Sequence, residues 1–185
     1  MIENDLVEAI IALPEKMFYN TGIGTFIWVL SNRKEERRKG KIQLIDATAI
    51  KTPLRKNMGE KNCELSPAQR QEIVRIFMAF EESEVSRIFP NSEFGYWKVS
   101  VQQPLLDEQG NPALDKKGRI QPDKAKADTE IIPFRYEGGI EAFMDAEVRP
   151  YAPGAYIDPK ATKIGYELSF TKYFTSLCSF APCRR

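Results

Sequence analysis

Two stretches of this chain carry side chains that could do chemistry. One is an aromatic-polar cluster, Phe18-Tyr19-Asn20-Thr21-Gly22. The other is a basic run from Arg33 to Lys41 with six basic and two acidic side chains. Taken alone, the aromatic-polar cluster reads as a strand-to-strand loop with its two aromatics tucked on the core, because aromatic loop residues mostly pack. Arg33, Lys34, Arg37, Arg38 and Lys39 read either as phosphate contacts or as a solvated face diluted by Glu35 and Glu36. The stretch Lys51 to Lys61 has the same two readings. No histidine occurs, which excludes Ser-His-Asp and Cys-His triads and histidine acid–base catalysis. There is no phosphate-cradling Gly-rich loop and no G-x-G-x-x-G; Gly22-Ile23-Gly24 is a two-glycine fragment. Cys63, Cys178 and Cys183 lack metal-ligand spacing, so no metal site is expected. Residue types and spacing alone nominate no catalytic residue.

The apolar runs name the elements that must position these loops. Leu6 to Leu13 (LVEAIIAL) is short and stopped by Pro14, which favours a buried strand. Gly24 to Ser31 (GTFIWVLS) is β-branched and aromatic, and apolar on both faces around Trp28, the pattern of a central or covered strand. Lys41 to Ala47 (KIQLIDA) reads as a third strand, forming an antiparallel hairpin with the second through Gly40. Thr48 to Leu65 is basic and irregular. Ser66-Pro67-Ala68-Gln69 supplies an N-cap, a first-turn proline and a capping-box glutamine. Ile73, Ile76, Phe77 and Phe80 then form one helical stripe, and the helix fades over Glu82 to Ser86. Phe94 to Val101 is a further strand. Two Asp-x-x-Gly units in Leu105 to Asp123 predict a surface hairpin. Lys124 to Glu130 is expected to be mobile, Ile140 to Val148 a short helix and Lys163 to Phe174 a last strand.

The chain has 185 residues, 42% hydrophobic and 29% charged, with net charge +1. That fits a soluble domain, or one and a half, with any basic function kept local. No apolar run approaches a membrane span, and the sparse cysteines suit a reducing cytoplasm.

The run ENDLVEAIIALPEKMFYNTGIGTFIWVLSNRK, continuing to RKGKIQLIDAT, strongly resembles the modification (M) subunit of type I restriction-modification systems. These are adenine-N6 DNA methyltransferases that use S-adenosylmethionine. NSEFGYWKVSVQQPL, DTEIIPF, IEAFMDAEVRPYAP and KATKIGYELSFTKYF resemble later blocks of the family, collinear over most of Ile2 to Phe174. The resemblance implies an α/β fold with a partial Rossmann-like methyltransferase sheet. Residues 1–50 would be the C-terminal part of the catalytic domain and hold its last three strands, including an antiparallel hairpin. An α+β segment follows over 51–174 with the surface hairpin at 105–123, then a divergent tail at 175–185. Leu6 to Leu13 would be the fifth strand, Gly24 to Ser31 the sixth, and Lys41 to Ala47 an antiparallel seventh between them.

The family's cofactor glycine motif and its Asn-Pro-Pro-aromatic tetrapeptide lie upstream of this point, so Met1 aligns with an interior position. Neither motif is in this chain: Asn111-Pro112 is followed by Ala113. Adenine-N6 methylation needs the base flipped out, its amino group held by that tetrapeptide, and the donor alongside. The chain is therefore expected to lack the donor site and to be inactive alone. By the resemblance it would supply an aromatic wall against the flipped base through Phe18 or Tyr19, with Asn20 and Thr21 able to contact base edge or phosphate. The resemblance also implies DNA, the specificity and restriction subunits and a second M subunit as partners. Gln102-Gln103-Pro104 departs from the family, where an Arg before the Pro is usual, and the ending TSLCSFAPCRR departs too. Two rivals stand beside this reading. One is a non-catalytic module that binds DNA or complements an upstream fragment; an unpaired flank of Leu6 to Leu13 would invite a partner, and a self-covered one would favour an autonomous binding module. The other is a degenerate gene product.

Overall fold

The run Val7–Leu13 forms β1, and every residue of it except Glu8 is buried. A strand dry on both faces needs neighbours on both edges, and β1 has them. Thr25–Leu30 (β2) pairs with it antiparallel, Ile10 opposite Trp28. Lys41–Asp46 (β3) pairs with it parallel, Ile11 opposite Ile45. A further strand, Ser86–Pro90 (β6), pairs antiparallel with β3 and closes a four-stranded sheet of order β2-β1-β3-β6. The computed structural model describes residues 1–107, 109–114, 118 and 120–174. They divide into two units, Met1–Asn91 with 169–174, and Ser92–Leu168. The segment 51–91, expected to open the second part, folds with the first.

Three expectations are corrected by this topology. The antiparallel hairpin joins β1 to β2, not β2 to β3, and β3 lies on the far side of β1 instead of between the two. β1 itself is paired on both edges, so its flank is self-covered. β2, read as central or covered, is an edge strand whose Phe26, Ile27, Trp28 and Leu30 are 45–51% exposed. The error has one cause. Apolarity on both faces of Gly24 to Ser31 reports a need for cover, while β1 and β3, with unbroken buried runs, take the centre.

Between β3 and β6 the chain makes the hairpin Thr52–Met58 (β4) and Lys61–Glu64 (β5), where an irregular segment was expected. The helix Pro67–Ala79 (α1) follows as predicted. Ser66 Oγ accepts from Gln69 N, and Gln69 Oε1 accepts from Ser66 N, so both halves of the capping box form. Its Ile73 joins Ile11, Leu13, Ile45 and Ala47 in one core cluster, with Phe77 and Ile76 packed on it. α1 ends at Ala79, short of the fade expected over Glu82 to Ser86, and β6 opens at Ser86. On the 3-10 turn Phe170–Tyr173, Phe170 lies against Phe26 at 5.3 Å and Tyr173 against Phe89 at 4.5 Å.

The second unit is built on Gly95–Gln102 (β7), which pairs with Asp128–Pro133 (β8) on one edge. Tyr156–Ile157 (β9) and Lys163–Tyr166 (β10) pair with it too, all antiparallel. β8 overlaps the stretch expected to be mobile. The helix Gly139–Phe143 (α2) runs on as one π turn, Met144–Val148, and packs Met144 against Val99, Val101 and Ile132. The first Asp-x-x-Gly turn forms as predicted: Asp107 Oδ1 accepts from Gln109 N and Asn111 N, and Gly110 has φ +83°. Most of the second turn, and the tail 175–185, lie outside the described residues. Among those described, no helix is long and apolar enough to cross a membrane.

Candidate functional site

The aromatic cluster lies in the β1–β2 connection and is held by the β4–β5 hairpin. Glu60 N donates to Tyr19 O at 3.0 Å, Asn62 N to Lys16 O at 3.0 Å, and the Cys63 thiol to Glu15 O at 3.3 Å. The hairpin turn needs glycine: Gly59 has φ +62°, and a Cβ there would lie 2.8 Å from Tyr19 O. Phe18 bridges to Thr21 across the turn, and Thr21 Oγ1 accepts from Ile23 N. Phe18 is 46% and Tyr19 54% exposed, while Met17 beside them packs on the core. That decides against both rings being plugs of the core. Asn20 is exposed too and Thr21 half-buried, so the four side chains share one short turn. Lys61 Nζ stands 5.2 Å from the Tyr19 ring centroid, within cation–π range. Beside this loop, at the carboxyl ends of β1 and β3, a cavity of about 430 Å³ is lined by Phe26, Phe170, Phe174, Glu15 and Asp46 among others. Carboxyl ends of parallel strands are where open α/β sheets bind ligands.

The basic run is less free than its charge suggests. Arg38 is 2% exposed. Its guanidinium lies 4.3 Å from the Phe77 ring centroid and 4.4 Å from that of Phe80. Nε stands 3.3 Å from Glu8 Oε1, and the Nη atoms donate to Gln43 Oε1 and Phe77 O. Burial lowers its pKa from the usual guanidinium value, with Glu8 opposing. Arg37 donates to Ala79 O at 3.1 Å and Met78 O at 2.9 Å, satisfying carbonyls at the end of α1, and pairs with Glu35 at 2.7 Å. Lys39 pairs with Glu36 at 2.6 Å on the surface. The Arg33 side chain has no hydrogen-bond or ion-pair partner among the described residues.

Lys34 is buried on Asp5, 2.6 Å away, and on Lys41 O at 2.9 Å. Burial raises the Asp5 carboxyl, but hydrogen bonds from Lys34, Gly40 N and Asn91 outweigh it and hold the group below its ordinary value. A carboxylate with a lower pKa in the folded state adds stability above its unfolded pKa of about 3.9, and that stability is lost as pH falls through the folded value. Asp5→Asn is thus expected to lower the urea midpoint at neutral pH and to flatten its decline below about pH 4. Equal slopes for the two proteins would refute this.

Of the predicted residues, then, Phe18, Tyr19, Asn20 and Thr21 stand together on one turn, and Arg33, Arg37 and Lys39 are exposed. Arg38 and Lys34 are interior. The β4–β5 hairpin that supports the loop was missed; Gly59 within an otherwise polar run was its signal. No group of three or more His, Cys, Asp or Glu among the described residues could hold a metal.

Comparison with known proteins agrees with the sequence resemblance. The chain is 50% identical over 48 residues to the MjaVII methylase subunit of a type I restriction enzyme from Methanocaldococcus jannaschii, covering 26% of the chain and 8% of that protein. It is 33% identical over 101 residues to the MjaIX methylase subunit of the same organism, covering 55% of the chain and 17% of the relative. The chain thus spans less than a fifth of the length of these relatives. A solved type I restriction-modification methyltransferase subunit from Streptococcus thermophilus matches with TM-score 0.43 and 22% identity, over 50% of this chain and 18% of that one. The profile of the N-6 DNA Methylase family matches residues 1–100, more than half of the sequence, and the chain belongs to that family.

Proposed function

We propose that this chain is the C-terminal portion of a type I restriction-modification methylase subunit. The whole subunit transfers a methyl group from S-adenosylmethionine to adenine N6 in DNA, and this portion does not do so alone. The observation that carries the reading is a pairing of presence and absence. Residues 1–100 match the family, while the sequence contains no Asn-Pro-Pro-aromatic tetrapeptide. The first four strands of a Rossmann-like sheet would come from the remainder of the subunit.

S-Adenosylmethionine does not fit the residues present. β1 and β3 end in Pro14-Glu15 and Asp46-Ala47-Thr48, without the glycine turn that lets a nucleoside approach backbone. Ala47 is fully buried, and Asp46 Oδ1 already takes both Thr48 donors. In this reading Phe18 and Tyr19 stack against the extruded adenine, with Asn20 and Thr21 on its edge or flanking phosphate. Arg33 is the first choice for a phosphate contact, Lys39 and Arg37 following, since each of those two must leave a carboxylate partner. DNA, the specificity and restriction subunits and a second methylase subunit are the partners, in the cytoplasm.

Two measurements test this. The isolated chain is expected neither to bind S-adenosylmethionine tightly nor to methylate an adenine-containing duplex. A chimaeric MjaIX subunit carrying these residues in place of its matched segment is expected to do both. Turnover by the isolated chain, or an inactive but folded chimaera, refutes the proposal.

A further inference from the structure

The second unit holds a cavity of about 740 Å³, in the size range of small-molecule sites and lined by none of the residues discussed above as site candidates. Two walls enclose it, both tied to β7 or to the residues just after it. One is the base of the surface hairpin, where Asp123 N donates to Gln103 O and Leu105 N to Gln121 O, each at 2.8 Å. The other is the turn after β9, where Asp158 N donates to Ser100 O at 3.1 Å. Asp158 is the one carboxylate on the lining, and its Oδ1 already accepts from Lys160 N at 3.0 Å. β9 sets Tyr156 opposite Gln102 and Ile157 opposite Val101. Val101 and Ile157 belong to the core, so alternation puts the Gln102 and Tyr156 side chains on the other face of the sheet. Lys124 and Lys160 also line the cavity, exposed and without a carboxylate partner among the described residues. The side-chain amides of Gln102 and Gln121 are equally uncommitted there. Along the same face, about 13 Å from Gln102, β10 sets Lys163 directly opposite Lys98. Like charges directly opposite on a sheet repel. Both lysines are exposed and neither has an ion-pair partner among the described residues, so an anion laid across them relieves the repulsion.

We infer that this face of the second unit binds an unpaired nucleic-acid strand. One nucleotide enters the cavity, with its base against Tyr156, the Gln102 and Gln121 amides on the base edge, and its phosphate between Lys124 and Lys160. Neighbouring phosphates cross Lys98 and Lys163. Cations along a backbone track with an aromatic face under a base are the means by which single strands are held. A duplex keeps its bases stacked inside and cannot reach Tyr156. An acidic peptide would use the lysines and leave the phenol ring and both amides idle. The site needs neither a target adenine nor a methyl donor, so it goes beyond the methylase reading and stands or falls apart from it.

The test titrates the full chain with labelled oligothymidylate, which contains no adenine. Expected is binding that an unlabelled single strand displaces at least ten-fold better than a duplex or thymidine monophosphate does. With 5-iodouracil in place of thymine, the strand is expected to photocrosslink to Tyr156. Lys124→Ala with Lys160→Ala, at exposed positions, is expected to weaken binding at least ten-fold. It should also lower the slope of log affinity against log salt by about 1.4, the value for two phosphate contacts on a single strand. Lys98→Ala with Lys163→Ala is expected to lower that slope by the same amount. Tyr156→Ala is expected to weaken binding roughly 5- to 150-fold, and Tyr156→Phe to leave it unchanged. Lys126→Ala removes one charge outside the cavity and should leave affinity within about two-fold of the parent. Absence of binding, or equal losses from Lys126→Ala and Lys124→Ala, overturns the inference. So does equal competition by duplex, thymidine monophosphate or polyglutamate, or crosslinking confined to Tyr19. An active chimaera without strand binding at Tyr156 removes this inference only, and strand binding there with an inactive chimaera removes the functional reading only.

Discussion

Arg38→Ala is expected to destabilise the first unit by about 3–5 kcal/mol, the range for removing one partner of a buried ion pair. The guanidinium ties three parts of the unit together: Glu8 on β1, Gln43 on β3 and the Phe77 carbonyl at the end of α1. Gln43 in turn donates to Ile76 O and Ser86 Oγ, so the network reaches β6. Truncation leaves the Glu8 carboxylate largely buried without its cation and opens a void between the Phe77 and Phe80 rings. An apolar replacement of both partners, Arg38→Met with Glu8→Leu, is expected to recover most of the loss, because no unpaired charge then remains. Arg33→Ala, with no partner to strand, should stay within about 0.5 kcal/mol of the parent. Urea unfolding of the four proteins decides the matter. Arg38→Ala melting like its parent would return Arg38 to the set of residues free to meet a phosphate.

That contrast shows where sequence reading succeeds on this chain. The capping box of α1 is local chemistry, a hydroxyl and an amide three residues apart, and it was legible before any fold was known. So was β1, since an apolar run stopped by proline has few other solutions. Strand order was not legible. The pattern of β2 states that both its faces want cover, but cover can come from another chain segment as well as from this one. Whether a lysine or arginine faces water is equally non-local. Arg33 and Arg38 sit in one charged run, and only the return of α1 over β3 puts two aromatic rings around the second. The β4–β5 hairpin was lost because its strands are short, exposed and polar, so alternation carried little hydrophobic signal. Its role in holding the Phe18–Tyr19 turn follows from two backbone hydrogen bonds and one from the Cys63 thiol, which no spacing rule encodes.

In the active chimaera, Phe18→Ala and Tyr19→Ala are each expected to slow methyl transfer by roughly 5- to 150-fold, the equivalent of about 1–3 kcal/mol of base stacking. Both rings are half exposed and the backbone beneath them is pinned by the β4–β5 hairpin. Truncation should therefore leave melting nearly unchanged, which a packing role would not. The defect is expected to appear with duplex that contains the target adenine and not in binding to unrelated duplex, because stacking acts only on an extruded base. Tyr19→Phe retains the ring and should retain the rate. Arg33→Ala should instead weaken every duplex alike and lower the salt dependence by about one phosphate contact. If both alanine variants transfer methyl at the parental rate and melt at the parental temperature, the turn is not a wall of the base pocket. The aromatic cavity between Phe26 and Phe170 at the carboxyl end of β1 is then the place to look for the stacking surface.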